Sequence, residues 1–240
     1  TASDGVQHEI WTLSCQEKIA TLVALFDDLP ALYIADGHHR SAAASRVQKL
    51  MRGRAEGVSS GTESYDYFLA VAFPQDQMKI LAYNRVITDL NGLNSKAFLE
   101  RLRDEFDIQC SDEPVVPETK GVMGAYFDGC WYTLTLREKT KSTDPVDSLD
   151  VSALSNRVLG PILGINDLRK DKRIDFVGGI RGTQELVRRV DSGAMACAFS
   201  LYPTRIEELM SVADGGQVMP PKSTWFEPKL ADGLISHVLD

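Results

Sequence analysis

Apolar positions recur with helical spacing from Gln16 to Phe26, where Ile19, Leu22, Val23 and Phe26 fall on one stripe, the pattern of an amphipathic helix. Ahead of it Gln7 to Leu13 alternates, with His8, Ile10 and Thr12 on one face of a predicted strand. Pro30 separates the helix from a short apolar run, Ala31 to Ala35, which reads as a strand. An Ala-rich helix is predicted from Arg40 to about Arg52. Gly53 to Ser64 is Gly/Ser-rich and lacks periodicity, so it predicts a loop, either a surface insertion or a lid behind the helix.

Tyr67 to Phe73 and Met78 to Ile87 are rich in aromatic and β-branched residues and read as two strands around Pro74-Gln75-Asp76-Gln77. Ser95 to Phe106 is amphipathic, with Asn94 or Ser95 as its cap. Val122 to Phe127 and Cys130 to Arg137 flank Asp128-Gly129, a hairpin signal. Val151 to Leu163 predicts a short helix interrupted near Gly160-Pro161. A strand over Arg173 to Val177, a helix over Thr183 to Val190 and a strand over Met195 to Leu201 follow. Thr204 is placed to cap a helix through Val212, and Leu234 to Leu239 reads as a last strand. Strands alternate with helices, but the hairpin breaks a parallel rhythm. The expected fold class is therefore α/β (α+β), a mixed β-sheet with helices packed on it and a central antiparallel hairpin. One compact unit over residues 1–240 is expected, with 1–140 and 148–240 as sub-lobes where the polar stretch Glu138 to Asp147 acts as a linker.

Composition adds little to that picture. The chain has 240 residues, 43% hydrophobic and 25% charged, enough for a large core. Its net charge of −8 argues against a general nucleic-acid partner. No apolar run approaches the ~18 residues of a membrane span, and no secretory signal is read at the start, so a cytoplasmic setting is expected. Cys15, Cys110, Cys130 and Cys197 are scattered, which predicts buried free thiols rather than a disulfide framework or a zinc site.

The chemistry concentrates in Asp36-Gly37-His38-His39-Arg40, between the apolar run and the Ala-rich helix. A turn into a helix presents free N–H groups and the positive end of the helix dipole, and both suit an anion. Gly37 permits a tight turn. Gly37, Arg40 and Ser41 are candidate phosphate-binding residues; Asp36, His38 and His39 are candidate catalytic ones. Imidazole titrates near neutral pH, and Asp36 could orient a histidine or meet Mg²⁺. Two adjacent histidines on a helix point about 100° apart and rarely both reach one metal, and no metal site is read firmly. A second polar cluster, Lys222-Ser223-Thr224, lies among prolines and aromatics, with Lys222 as a phosphate clamp near the first cluster. Gly178, Gly179 and Arg181, in a second strand-to-helix turn, and Lys229 are secondary candidates.

Tyr33 to Arg40 (YIADGHHR) and Val218 to Leu230 (VMPPKSTWFEPKL), with LDVSALSNRVLGPILGI, KRIDFVGG and VDSGAMACAFSLYPTRIEELM between them, resemble the domain of unknown function 1015 family, in the same order and over nearly the whole chain. The resemblance implies the C-terminal portion of a longer protein. The Gly37-x-x-Arg40 turn is also similar to the phosphate-binding turn of the ParB and sulfiredoxin group, which includes nucleotide-binding proteins and free-serine kinases. Together these imply an enzyme acting on a small phosphorylated molecule or nucleotide, with Mg²⁺ and ATP or ADP as cofactors. Transfer of a phosphoryl group to a metabolite such as serine is the specific expectation. The alternative is a non-catalytic nucleotide or metabolite sensor; a DNA-binding ParB relative is disfavoured by the charge.

Overall fold

The computed structural model describes residues 1–2, 5–54, 60–137 and 142–239. Contacts divide the chain into two units: Thr1–Phe73 with Pro228–Asp240, and Pro74–Glu227. The boundary read from the sequence near residues 140–148 does not coincide with this division. Leu134 and Leu136 before that stretch, and Leu149 and Leu154 after it, lie in one buried cluster. Residues 138–141 of the expected linker, and 55–59 of the expected lid, lie outside the described residues.

Among its described residues the first unit has two α-helices, α1 (Gln16–Asp27) and α2 (His38–Arg54), and a short 3-10 turn at Ser64–Asp66. The three strands expected here, over Gln7–Leu13, Ala31–Ala35 and Tyr67–Phe73, do not form ladders, and neither does Leu234–Leu239. An apolar run becomes a strand only when a neighbouring backbone takes up its N–H and C=O groups in a regular ladder. No described residue of this unit is buried. Trp11 and Leu32 are 80% and 67% exposed.

The second unit is built on a sheet. Its elements are β1 (Lys79–Leu81), β2 (Tyr83–Ile87), α3 (Ser95–Arg103), β3 (Phe106–Ser111), β4 (Val122–Phe127), β5 (Cys130–Leu136), α4 (Asp150–Leu154), β6 (Ile174–Gly178), α5 (Gly182–Asp191), β7 (Cys197–Leu201), α6 (Ile206–Asp214) and β8 (Trp225–Glu227). Six strands form an antiparallel sheet in the order β3-β5-β4-β7-β2-β6, and β1 pairs with β8 in a separate two-stranded ribbon. The hairpin forms as expected, with Asp128 and Gly129 both at positive φ (54° and 74°), the type I′ geometry that matches strand twist.

Alternation sorts the sheet's side chains to two faces. Met123, Ala125 and Phe127 join Phe98, Leu102, Leu154 and Phe199 in the main core, whereas Tyr126 packs with Val86, Trp131 and Leu186 of α5 on the other face. Helix α3 begins at Asn94, whose side chain accepts the Ala97 N–H at 2.9 Å. Helix α6 begins at Arg205, whose N–H is taken by Glu208. Thr204 does not cap that helix; its hydroxyl donates to the Ser223 carbonyl. Cys197 is buried, but Cys15, Cys110 and Cys130 are exposed, contrary to the expectation of buried thiols.

Candidate functional site

Helix α2 starts two residues earlier than its periodicity predicts, so His38 and His39 are its first residues. Gly37 adopts φ +80°, a conformation that strains any residue with a Cβ. Its carbonyl accepts the Ser41 N–H at 2.9 Å, closing the first helical turn. The amide of Ser41 is therefore committed to the helix, while those of His38, His39 and Arg40 precede the first closed turn and are the open donors. Arg40 folds back over Gly37: a Cβ built there would meet Arg40 Nε and Nη2, each at 3.6 Å. Arg40, His38 and His39 are exposed.

Among the described residues Asp36 pairs with neither histidine. Its Oδ1 accepts the Gly37 N–H at 2.7 Å, and its Oδ2 pairs with Lys229 Nζ at 2.8 Å. The Lys229 hydrogen bond chiefly holds the Asp36 carboxyl below its ordinary pKa. Partial burial opposes the shift, and the Gly37 N–H and the charges of Lys229 and Arg40 assist it. Lys229, a secondary candidate by sequence, thus joins the turn directly. Among the described residues no group of three His, Cys, Asp or Glu side chains could hold a metal ion.

The Lys222 cluster belongs to the second unit. Lys222 has φ +58°, in the left-handed region. Its ammonium lies 5.5 Å from the centre of the Tyr83 ring and 3.5 Å from the Tyr83 hydroxyl. Ser223 is buried and its hydroxyl donates to the Pro220 carbonyl at 2.5 Å, so it is turned inward, while Thr224 is half-buried.

Arg85 supports this loop, and it was not singled out from the sequence. It is completely buried, donates to the carbonyls of Tyr83 and Lys222 (the latter at 3.0 Å), and lies 5.5 Å from the Phe176 ring centre. Its Nε has no hydrogen-bond partner among the described residues. Burial pushes its pKa down to about 9. The signal available in the sequence is a guanidinium inside an otherwise apolar strand, since arginine is rarely fully buried without a partner.

Packing accounts for the glycines of the second strand-to-helix turn. A Cβ on Gly178 would fall 2.6 Å from the Trp225 ring, and one on Gly179 would fall 2.8 Å from the Ala82 carbonyl. Arg181 is 62% exposed at its side chain and lies 3.9 Å from Glu185.

A family model described as "Protein of unknown function (DUF1015)" matches residues 1–152, and the chain belongs to that family. The Lys222 motif lies beyond the matched residues. Among curated proteins none matches the chain. Similar solved structures include a free serine kinase in complex with AMP (14% identity, 90% of this chain and 81% of that chain, TM-score 0.45). A conserved hypothetical protein from Pyrococcus furiosus is also similar (14% identity, 89% and 84%, TM-score 0.44). No helix among the described residues is long and apolar enough to cross a membrane.

Proposed function

We propose that the turn Asp36–Ser41 binds a phosphate group of a nucleotide or phosphorylated metabolite, and that the protein transfers a phosphoryl group to a small hydroxylated acceptor, with serine as the first candidate, in the cytoplasm. The observation that supports this reading is Arg40 lying back across Gly37 at the open end of α2. Its guanidinium stands beside the first-turn N–H groups and the positive end of the helix dipole. Arginine can grip phosphate with two parallel hydrogen bonds. His38 and His39, exposed at the start of the helix, are the proposed acid–base groups. Asp36 is the carboxylate within the turn that a nucleotide-borne Mg²⁺ could meet, and Lys229 neutralises it otherwise. In the second unit, Lys222 is the proposed anion-binding cation, because its ammonium rests against Tyr83 and its backbone is held by Arg85.

A second reading, a nucleotide or metabolite sensor, is favoured by one detail: both Asp36 oxygens are already partnered, so no carboxylate–histidine pair is assembled in the turn. Turnover separates the two. Phosphorus NMR of the protein with ATP, Mg²⁺ and serine should show ADP and a new phosphomonoester. Binding of ATP without turnover on a panel of hydroxylated metabolites would leave the sensor, and absence of both binding and turnover would remove the phosphate site.

A further inference from the structure

We infer that the second unit carries a separate binding site for a neutral, polyhydroxylated small molecule, a sugar or polyol, in the cavity beside the turn Ser155–Leu159. The site lies wholly within that unit and is independent of the phosphate reading. Its origin is local. Helix α4 continues from Leu154 into a π-helical turn, with the Gly160 N–H reaching back to the Ser155 carbonyl at 3.0 Å. Pro161 follows and has no N–H with which to continue the regular ladder. Such π turns are rare and are concentrated at functional sites. Here the turn sets Ser155 and Asn156 in the wall of a cavity of about 510 Å³. A neighbouring opening of about 360 Å³ shares Ser155, Asn156, Asn166 and Leu168 with it.

The wall's charges select the ligand class. Asp147 and Asp167 stand with Arg169 and Lys170, and the four formal charges cancel. Asp147, Asp167 and Lys170 are also partnered within the wall, and Arg169 is exposed. Asn156 Nδ2 donates to Asp147 at 3.5 Å, the Arg169 N–H donates to Asp167 at 3.0 Å, and Lys170 Nζ lies 3.6 Å from Asp167. A wall compensated in this way does not require a charged ligand. It offers donors and acceptors side by side, which adjacent hydroxyls, each a donor and an acceptor, can satisfy. Ser152 stands in the same wall, 5% exposed, and its hydroxyl has no hydrogen-bond partner among the described residues. Buried hydroxyls without partners are uncommon. Val146, Leu168, Pro220 and Pro221 supply apolar surface for the C–H faces of such a ligand.

The test is a ¹H–¹⁵N NMR titration of the whole chain with D-ribose, D-glucose and myo-inositol, with glycine and inorganic phosphate as charged controls. At least one polyol should shift the amides of Asp147, Ser152, Asn156, Asn166 and Asp167 saturably at millimolar concentration. Asn156→Ala and Asp167→Asn, both at exposed positions, should each weaken that binding about tenfold, the equivalent of ~1.4 kcal/mol, with the rest of the spectrum preserved. The proposal is overturned if no polyol gives saturable shifts, if the shifts fall outside this wall, or if glycine or phosphate saturates it and the polyols do not.

Discussion

Asp36 and Arg85 show how differently a charged side chain is used at the two candidate clusters. Asp36 is half exposed and paired, and its folded-state pKa is depressed, chiefly by Lys229. A depressed carboxyl contributes stability above its unfolded pKa and loses it as pH falls through the folded one. Lys229→Ala should therefore raise the Asp36 pKa, read from its carboxyl carbon in an NMR titration; an unmoved pKa would show that the pair does not form in solution. Arg85 is the opposite case, a buried cation that donates to two backbone carbonyls. Arg85→Ala should cost on the order of 2–4 kcal/mol, because it opens a cavity and leaves those carbonyls unpaired. Chemical denaturation checks this, and a loss within experimental error would deny the Arg85 side chain a supporting role.

Among the elements, those with their own local signals were legible in the sequence. The hairpin was readable because Asp128-Gly129 admits positive φ at both turn positions. Helices α1, α3 and α5 were readable from their apolar stripes. Strand β3 was not, because Phe106 continues the helical pattern of α3 until Asp104 and Glu105 break it, and only pairing with β5 makes the next residues a strand. The π turn was legible only as an interruption at Gly160-Pro161, since its hydrogen-bond register leaves no distinct composition. The second glycine turn looked like a phosphate loop because close packing and close ligand approach both call for glycine. Its packing role makes a direct prediction. Gly178→Ala would push a methyl group into the Trp225 indole and should destabilise the fold by about 1–3 kcal/mol. A shift in the thermal midpoint would report it, and an unchanged midpoint would contradict the packing.

At the scale of the molecule, the sheet unit holds the buried residues and the DGHHR unit holds none among those described. Local stability follows buried contacts, so the amides of α1 and α2 should exchange with solvent well before those of β2, β4 and β7. Hydrogen-exchange mass spectrometry would show it, and equal protection in both units would contradict it. The same difference explains why the α+β architecture, a sheet with helices packed on it, could be read from alternation and β-propensity while the three expected strands of the first unit could not: their partners are not set by local pattern. The candidate turn was legible because Asp, two His and Arg in five residues are conspicuous beside a small-residue helix, whereas Lys229 gains its connection to Asp36 only through the fold. The proposed grip of Arg40 on phosphate is tested by isothermal titration of ADP into wild type and folded Arg40→Ala. Hydrogen bonds to a charged group contribute about 1.5–3 kcal/mol, so the dissociation constant should rise about 10- to 150-fold in the variant. Equal affinity in the two proteins, or no binding to wild type, would rule out a phosphate site at Arg40.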